Sequence, residues 1–471
     1  MIEKIVGFSQ DTLVYQSGQT IKPKRFLQYI ASLAVSIGAI ASGVTISWTS
    51  QAGTDGVNIA TIYKIAVTPE EYSWIGSLAA LGSAVVCVPI GTLADIIGRK
   101  YSMLMLVIPF TIGWLCIIFA KSVTFFYIGR FLTGFSGGAF SVTGPMYTSE
   151  IGESEIRGRL GTFYHLFKTM GILMVAVLYL IDINMYQLSI ISGFIPIIFG
   201  IAFSFMPESP VYYLLKGNED AARKIYIKLR GSQYDVEQEL NMQKKMIEEA
   251  NKNKVSFLSL LKSKACKKAI IISYGLMTFQ QLSGVNVVAF YIGFIFDKAG
   301  GFVEPKVATI ILGVIGIAMV FISILTVDRL GRKILLTISC LIMSLSNLAL
   351  GIYFYLLETT STNSLGWLPF LSVCSFIISF AIGFGPLPWM MISELFTPET
   401  KSVVGSSACF LNWTLAFIVT KTFVNLNDII YIYGTFWLFS LICALGVVFV
   451  LFIVPETRGK TLEQIQRELS A

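Results

Sequence analysis

Three side-chain amides interrupt one apolar stretch of the chain. Gln280, Gln281 and Asn286 lie in Phe279-Gln280-Gln281-Leu282-Ser283-Gly284-Val285-Asn286, and Asn412 adds a fourth amide beside Trp413 in a later apolar run. An amide carries donors and acceptors together without a charge. A set of them inside an apolar wall suits reversible binding of a neutral solute with many hydroxyls. Gln281 and Asn286 reach one cavity if Gly284 bends or unwinds the helix between them. The alternative is amide glue between helices. The run Gly383-Phe384-Gly385-Pro386-Leu387-Pro388-Trp389 carries two prolines that remove backbone donors and break a helix. Trp389 just beyond that break offers an aromatic face on which the C–H face of a ring can stack.

Ionisable groups inside apolar runs are few, and each is a functional candidate because of its cost there. Arg130 follows Gly129 in one run, and the first run, 26–48, contains no Asp or Glu to pair with it. Arg130 is therefore either held by backbone carbonyls or part of a charge network. His165 is the single histidine and lies three residues before Lys168, so the two share a helix face. Neutral imidazole both donates and accepts, as a hydroxylated solute requires. The other readings of His165 are a helix-packing contact and a proton carrier. No second histidine or cysteine cluster completes a metal site, and no nucleophile–base pair is visible. An enzyme is the least favoured class, and no cofactor is expected.

These residues need a scaffold, and composition supplies it. Hydrophobic residues make up 55% of the 471 and charged residues 13%, with a mean hydropathy of +0.72. Soluble domains carry about 25% charged residues. The charges cluster and leave about twelve apolar runs of membrane-crossing length, near 26–48, 72–94, 102–120, 125–146, 160–181, 188–206, 268–296, 306–327, 334–357, 367–392, 402–426 and 431–454. Lipid leaves no partner for open backbone groups, so the runs must be helices. The fold class is all-α, with two groups of six spans. The expected divisions are a tail over 1–25, a half over 26–206, a polar helical insert over 207–267, a half over 268–454 and a tail over 455–471. The insert is either a solvated linker or a cap touching both halves.

The two halves repeat one another. Asp95-Ile96-Ile97-Gly98-Arg99-Lys100 is echoed by Asp328-Arg329-Leu330-Gly331-Arg332-Lys333. Glu150 with Arg157 is echoed by Glu394 with Lys401, and Pro207-Glu208-Ser209 by Pro455-Glu456-Thr457. Pairs lie about 230 to 250 residues apart, half the chain, as in an internal duplication. Duplicated membrane halves place a site at their pseudo-symmetry axis. Lys and Arg fall mainly in alternate short loops, which puts both termini in the cytosol. The net charge of +7 is this topology signal, and no nucleic-acid partner is expected. The seven cysteines include no CxxC pair and suit packing as small apolar side chains.

Together these motifs resemble the sugar porter branch of the major facilitator superfamily. The resemblance spans about residues 30–460 and includes Gly129-Arg130, Pro145…Glu150…Arg157-Gly158, Pro207-Glu208-Ser209-Pro210, Gln280-Gln281-Leu282-Ser283-Gly284…Asn286, Gly385-Pro386…Pro388-Trp389…Glu394 and Pro455-Glu456-Thr457. The run from Asn412-Trp413 to Phe423 is similar to animal glucose carriers and insect facilitated trehalose transporters. The resemblance implies alternating access between two six-helix halves. It implies sugar contacts from Gln280, Gln281, Asn286, Trp389 and Asn412, with His165 at the family's fifth-helix glutamine position. It implies a cytosolic gate of Asp95, Arg99, Glu150, Arg157, Asp328, Arg332 and Glu394, to which Arg130 is added as an intramembrane charge. Gly316 replaces a frequent asparagine and Ala381 a glutamate of some glucose carriers. Thr45 stands at or beside the aspartate of proton-coupled relatives, which points to uniport. The expectation is a plasma-membrane uniporter of a neutral sugar, glucose first and trehalose second. A proton symporter using His165 and a non-transporting sensor are the competing readings.

Overall fold

The computed structural model describes residues 15–16, 19–20, 23–53, 56–153, 155–252, 263–300, 303–360, 365–396, 398–460 and 462–470. Beyond a two-residue pairing of Tyr15–Gln16 with Gln19–Thr20, the described regular structure is helical. Nine helices are long and apolar enough to cross a membrane, and the bent pair Pro69–Cys87 and Pro89–Ile97 adds a tenth span. Val123–Ile151 is the fourth span in chain order. It is less apolar because Gly, Ser and Thr crowd it. The helix Pro398–Ile453 has 56 residues, or about 84 Å at 1.5 Å per residue, nearly three hydrocarbon thicknesses. Tyr431, at φ 61°, kinks it into two spans. The described helices thus make twelve spans, six before the insert and six after, and we number them in chain order.

Small residues set the spacing of these helices. A Cβ on Gly43 of the first span would lie 2.0 Å from the carbonyl oxygen of Lys168 in the fifth. A Cβ on Gly134 of the fourth would lie 2.0 Å from that of Ala79 in the second. Membrane helices gain from such approach because lipid gives them no hydrophobic drive to associate.

The contacts between halves follow a two-fold logic. The second span packs on the eleventh, with Cys87 Sγ 3.1 Å from Cys409 Sγ and Lys421 Nζ donating to Ser73 Oγ at 2.7 Å. Its counterpart is the fifth span on the eighth, where Gly316 faces Thr169 and the Asp182–Lys306 ion pair closes at 2.5 Å. At the end carrying these last pairs, the seventh span meets the short 3-10 turn Trp48–Gln51, and a Cβ on Gly293 would lie 2.3 Å from Ser50 O.

The insert forms helices Pro210–Leu215, Glu219–Arg230 and Val236–Lys252, longer than its charge pattern alone indicates. Its described contacts are with the first half: Arg230 donates to Ile151 O at 2.6 Å, and Gln28 donates to Leu229 O at 3.2 Å. The helix Leu462–Ser470 lays Ile465 and Leu469 inward, and Gln466 bonds Leu395 O at 2.6 Å in the second half.

Candidate functional site: an amide chain on a central cleft

The seventh span breaks at Gly284, which adopts φ 88° and separates Lys264–Leu282 from Val285–Ala299. Only glycine takes that backbone without strain. The break brings Asn286 back to Gln281, and a single run of hydrogen bonds results. Asn286 Nδ2 donates to Gln281 Oε1. Gln281 Nε2 donates to Asn412 Oδ1 at 2.8 Å, and Asn412 Nδ2 to Gln280 Oε1 at 2.7 Å. Gln280 Nε2 then reaches Phe384 O at 2.6 Å and Gly385 O at 3.0 Å. Those two carbonyls are freed by the break in the tenth span, between Leu368–Ile382 and Leu387–Leu395. Ser339 secures the same break, accepting from Phe384 N at 3.2 Å and donating to Ser379 O at 2.7 Å. The four amides therefore act as one unit across the seventh, tenth and eleventh spans. Gln280, Gln281 and Asn412 are buried and Asn286 is half-buried.

The cleft lies beside this chain, between the halves. Ser42, Thr45, Ser83, Ser141, Tyr164 and Lys168 line it from the first half, and Phe290 and Trp413 from the second. Its free volume is about 10 Å³, room for a single water. Phe290, one helical turn after Asn286, and Trp413, next to Asn412, are the second-half lining, and the amides lie on the same two spans without being among the lining residues. Lys168 Nζ stands over the Trp413 ring, 5.6 Å from its centroid.

Several expected residues sit elsewhere. His165 is exposed on the fifth span and is not among the residues that line the cleft. Trp389 is 40% exposed on the helix after the tenth-span break, and the cleft's tryptophan is Trp413. Arg130 does not belong to the gate charges. It is fully buried and donates to Ile75 O at 3.0 Å, Thr45 O at 2.6 Å and Thr49 Oγ1 at 3.1 Å, over the Trp48 ring. A carbonyl near the end of the first span, a carbonyl of the second span and the Thr49 hydroxyl thus replace a carboxylate partner. Lys168, noted in the sequence beside His165, lines the cleft, and Tyr164 and Trp413 are cleft residues that the motifs did not single out. The available signals were Lys168 as an ammonium in an apolar run, Tyr164 one turn before it, and Trp413 beside an amide.

At the insert-bearing end, the duplication is reproduced atom by atom. Gly98 and Gly331 take φ 101° and 88°, so the following amides turn toward one carboxylate. Glu208 accepts from Arg99 N and Lys100 N, each at 3.0 Å. Glu456 accepts from Arg332 N at 2.9 Å and Lys333 N at 3.1 Å. Arg99 meets Glu150 at 2.9 Å and Asp95 at 2.8 Å, and Arg332 meets Glu394 at 3.0 Å. Ser209 and Thr457 donate to Glu150 and Glu394. Burial raises the Glu208 carboxyl above its ordinary value despite its backbone donors. Burial also acts upward on Glu456, but the amides of Arg458, Arg332 and Lys333 outweigh it and hold that carboxyl below its ordinary value. Arg157 makes no described ion pair and donates weakly to Gly152 O at 3.4 Å. The Asp328 side chain lies outside the described residues. No ion pair described at this end joins one half to the other.

Comparison with known proteins gives this arrangement a family. The profile of the family described as sugar (and other) transporter matches residues 21–469. A facilitated trehalose transporter of Bombyx mori is 38% identical over 464 residues, covering 98% of this chain and 90% of that one. The facilitated trehalose transporter of Polypedilum vanderplanki is 38% identical over 94% of this chain and 88% of its own length. One from Drosophila mojavensis matches at 38% over 94% of this chain, which spans about half of that longer protein, 51%. The E. coli xylose transporter in a partially occluded inward open conformation superposes with a TM-score of 0.78 at 23% identity, over 92% of this chain and 99% of that one. The twelve spans are therefore those of the major facilitator fold, and the chain belongs to the sugar transporter family.

Proposed function

We propose that this chain is a facilitative carrier of a neutral sugar, working by alternating access to the cleft between its halves. The observation that carries the reading is the four-amide chain on the seventh and eleventh spans, whose Phe290 and Trp413 line that cleft. Its donors and acceptors match hydroxyls and carry no charge. The relatives named above are facilitated trehalose transporters, so trehalose becomes the first candidate and glucose the second, the reverse of the order expected from the sequence. A disaccharide needs more room than the cleft has here, and separation of the halves supplies it.

Gln280, Gln281, Asn286 and Asn412 are proposed to bind the solute, with Trp413 as the stacking face. Trp389 and His165 are assigned to its path. Arg99, Glu150 and Asp95, with Arg332, Glu394 and Asp328, are proposed to hold the ends of the two halves at the inner gate. The end bearing the insert and the basic turns is placed in the cytosol by the positive-inside rule, and both termini with it. Residues 26–206 and 268–454 are taken as the halves and 207–267 as the insert. The plasma membrane is the proposed location. Coupling to protons is disfavoured because the first span has no acid and Arg130 is held by carbonyls.

Counterflow in proteoliposomes tests the reading. Labelled trehalose is expected to exchange against unlabelled trehalose, without response to an inward proton gradient. Accumulation driven by that gradient would replace uniport with symport, and exchange of glucose alone would return the hexose to first place.

A further inference from the structure

Lys168 is the uncommon element of the cleft. Its ammonium lies between the halves, and no described carboxylate faces it. Its described partner is the Trp413 ring, 5.6 Å away. Glu150 and Glu394 are engaged by Arg99 and Arg332 at the insert-bearing end of their spans. An ammonium in a membrane interior is costly without a partner, and an aromatic face offsets only part of that cost.

A second group points the same way. Tyr164, one helical turn before Lys168, is 8% exposed and also lines the cleft, and its hydroxyl, beside Ser42, makes no hydrogen bond of normal geometry among the described residues. A buried hydroxyl without a partner is the exception in folded proteins. The neighbouring Ser42, Thr45 and Ser83 hydroxyls donate to backbone carbonyls of Gly38, Ala41 and Ala79, so their protons are already used. The first-half wall therefore presents two donors that no short described hydrogen bond engages, one of them charged, and the second-half wall presents Phe290 and Trp413, with the amide chain on the same spans. A carboxylate takes two donors with its two oxygens, and a charge-assisted bond is about twice as strong as a neutral one.

We propose that the cleft takes a sugar acid, a hydroxylated carboxylate such as a hexuronate, with Lys168 and Tyr164 holding its carboxylate and the amide chain its hydroxyls. This rests on the carrier reading above and narrows its solute class. A loaded carboxylate displaces Lys168 from the Trp413 face and frees that ring to stack on the solute. The charge of the carrier's cleft is neutralised only when the solute is aboard.

The full-length carrier is reconstituted, and glucuronate is used as the probe beside trehalose. Glucuronate is expected to exchange, or to compete with trehalose counterflow, and to raise the melting temperature of the purified carrier. In Lys168→Met the preference for glucuronate over trehalose is expected to fall by about tenfold or more, because a charged hydrogen bond is lost. Lys168→Arg is expected to retain most of it. An unchanged preference in Lys168→Met, or a wild-type carrier that glucuronate neither inhibits nor stabilises, overturns the inference. Trehalose counterflow surviving that result leaves the carrier reading standing. Conversely, absence of counterflow by either solute, with glucuronate still stabilising wild type but not Lys168→Met, removes the carrier reading and keeps the anion site.

Discussion

Gln281 is the middle of the amide chain, with one neighbour donating to it and another accepting from it. Gln281→Ala leaves an Asn286 donor and an Asn412 acceptor without partners. Each unpaired buried group costs about 1–3 kcal/mol. Uptake is expected to fall at least about tenfold while the amount of carrier at the cell surface stays near wild type. Surface biotinylation alongside labelled-sugar uptake separates the two, and wild-type uptake would take the seventh span out of the site. Gln280→Ala should act differently, because that amide holds the freed carbonyls of Phe384 and Gly385 and so sets the shape of the tenth-span break. The identities of these amides were legible in the sequence, since they stand out against an apolar run. Their order was not, because it depends on how Asn412, some 130 residues away, meets a helix interrupted at Gly284. Arg130 was legible as an anomaly, yet its partners are carbonyls, which no residue type announces.

The elements owe their placement to glycines as much as to apolar faces. Gly43 lets the first span touch the fifth at the carbonyl of Lys168, so it fixes how far Lys168 projects into the cleft. Gly43→Ala demands a shift of backbone and is expected to cost about 1–3 kcal/mol, as overpacking does, with a lower melting temperature and loss of flux. Gly161, on the same fifth span, has nothing within 4 Å of the position a Cβ would take. Gly161→Ala is expected to melt at or slightly above the wild-type temperature, since alanine is the better helix former. Equal melting of the two variants would refute the close-packing argument. Hydropathy revealed most of the spans. It included the fourth, where small polar residues serve helix packing, but it missed the docking of the insert onto the first half, which rests on Arg230 and Gln28 reaching backbone carbonyls.

At the scale of the molecule, the halves meet along the second and eleventh spans, and there Cys87 and Cys409 are in contact. Two thiols losing two protons and two electrons to diamide would tie the halves together at that point. Uptake is expected to stop on diamide treatment and return with dithiothreitol, while Cys409→Ser stays insensitive. Cleavage within the insert gives a direct assay, because only a linked carrier would then run as one chain on a non-reducing gel. Flux that survives a demonstrated link would mean that the halves do not separate there. The amide chain has its own consequence for such a cycle. A carrier whose empty site left four amides unpaired would change state readily only when loaded, and would exchange one solute for another without net delivery. Here the amides satisfy one another, so their hydrogen bonding sets no barrier to a return across the membrane without solute, and that part of the site permits net delivery for as long as the cell consumes the solute.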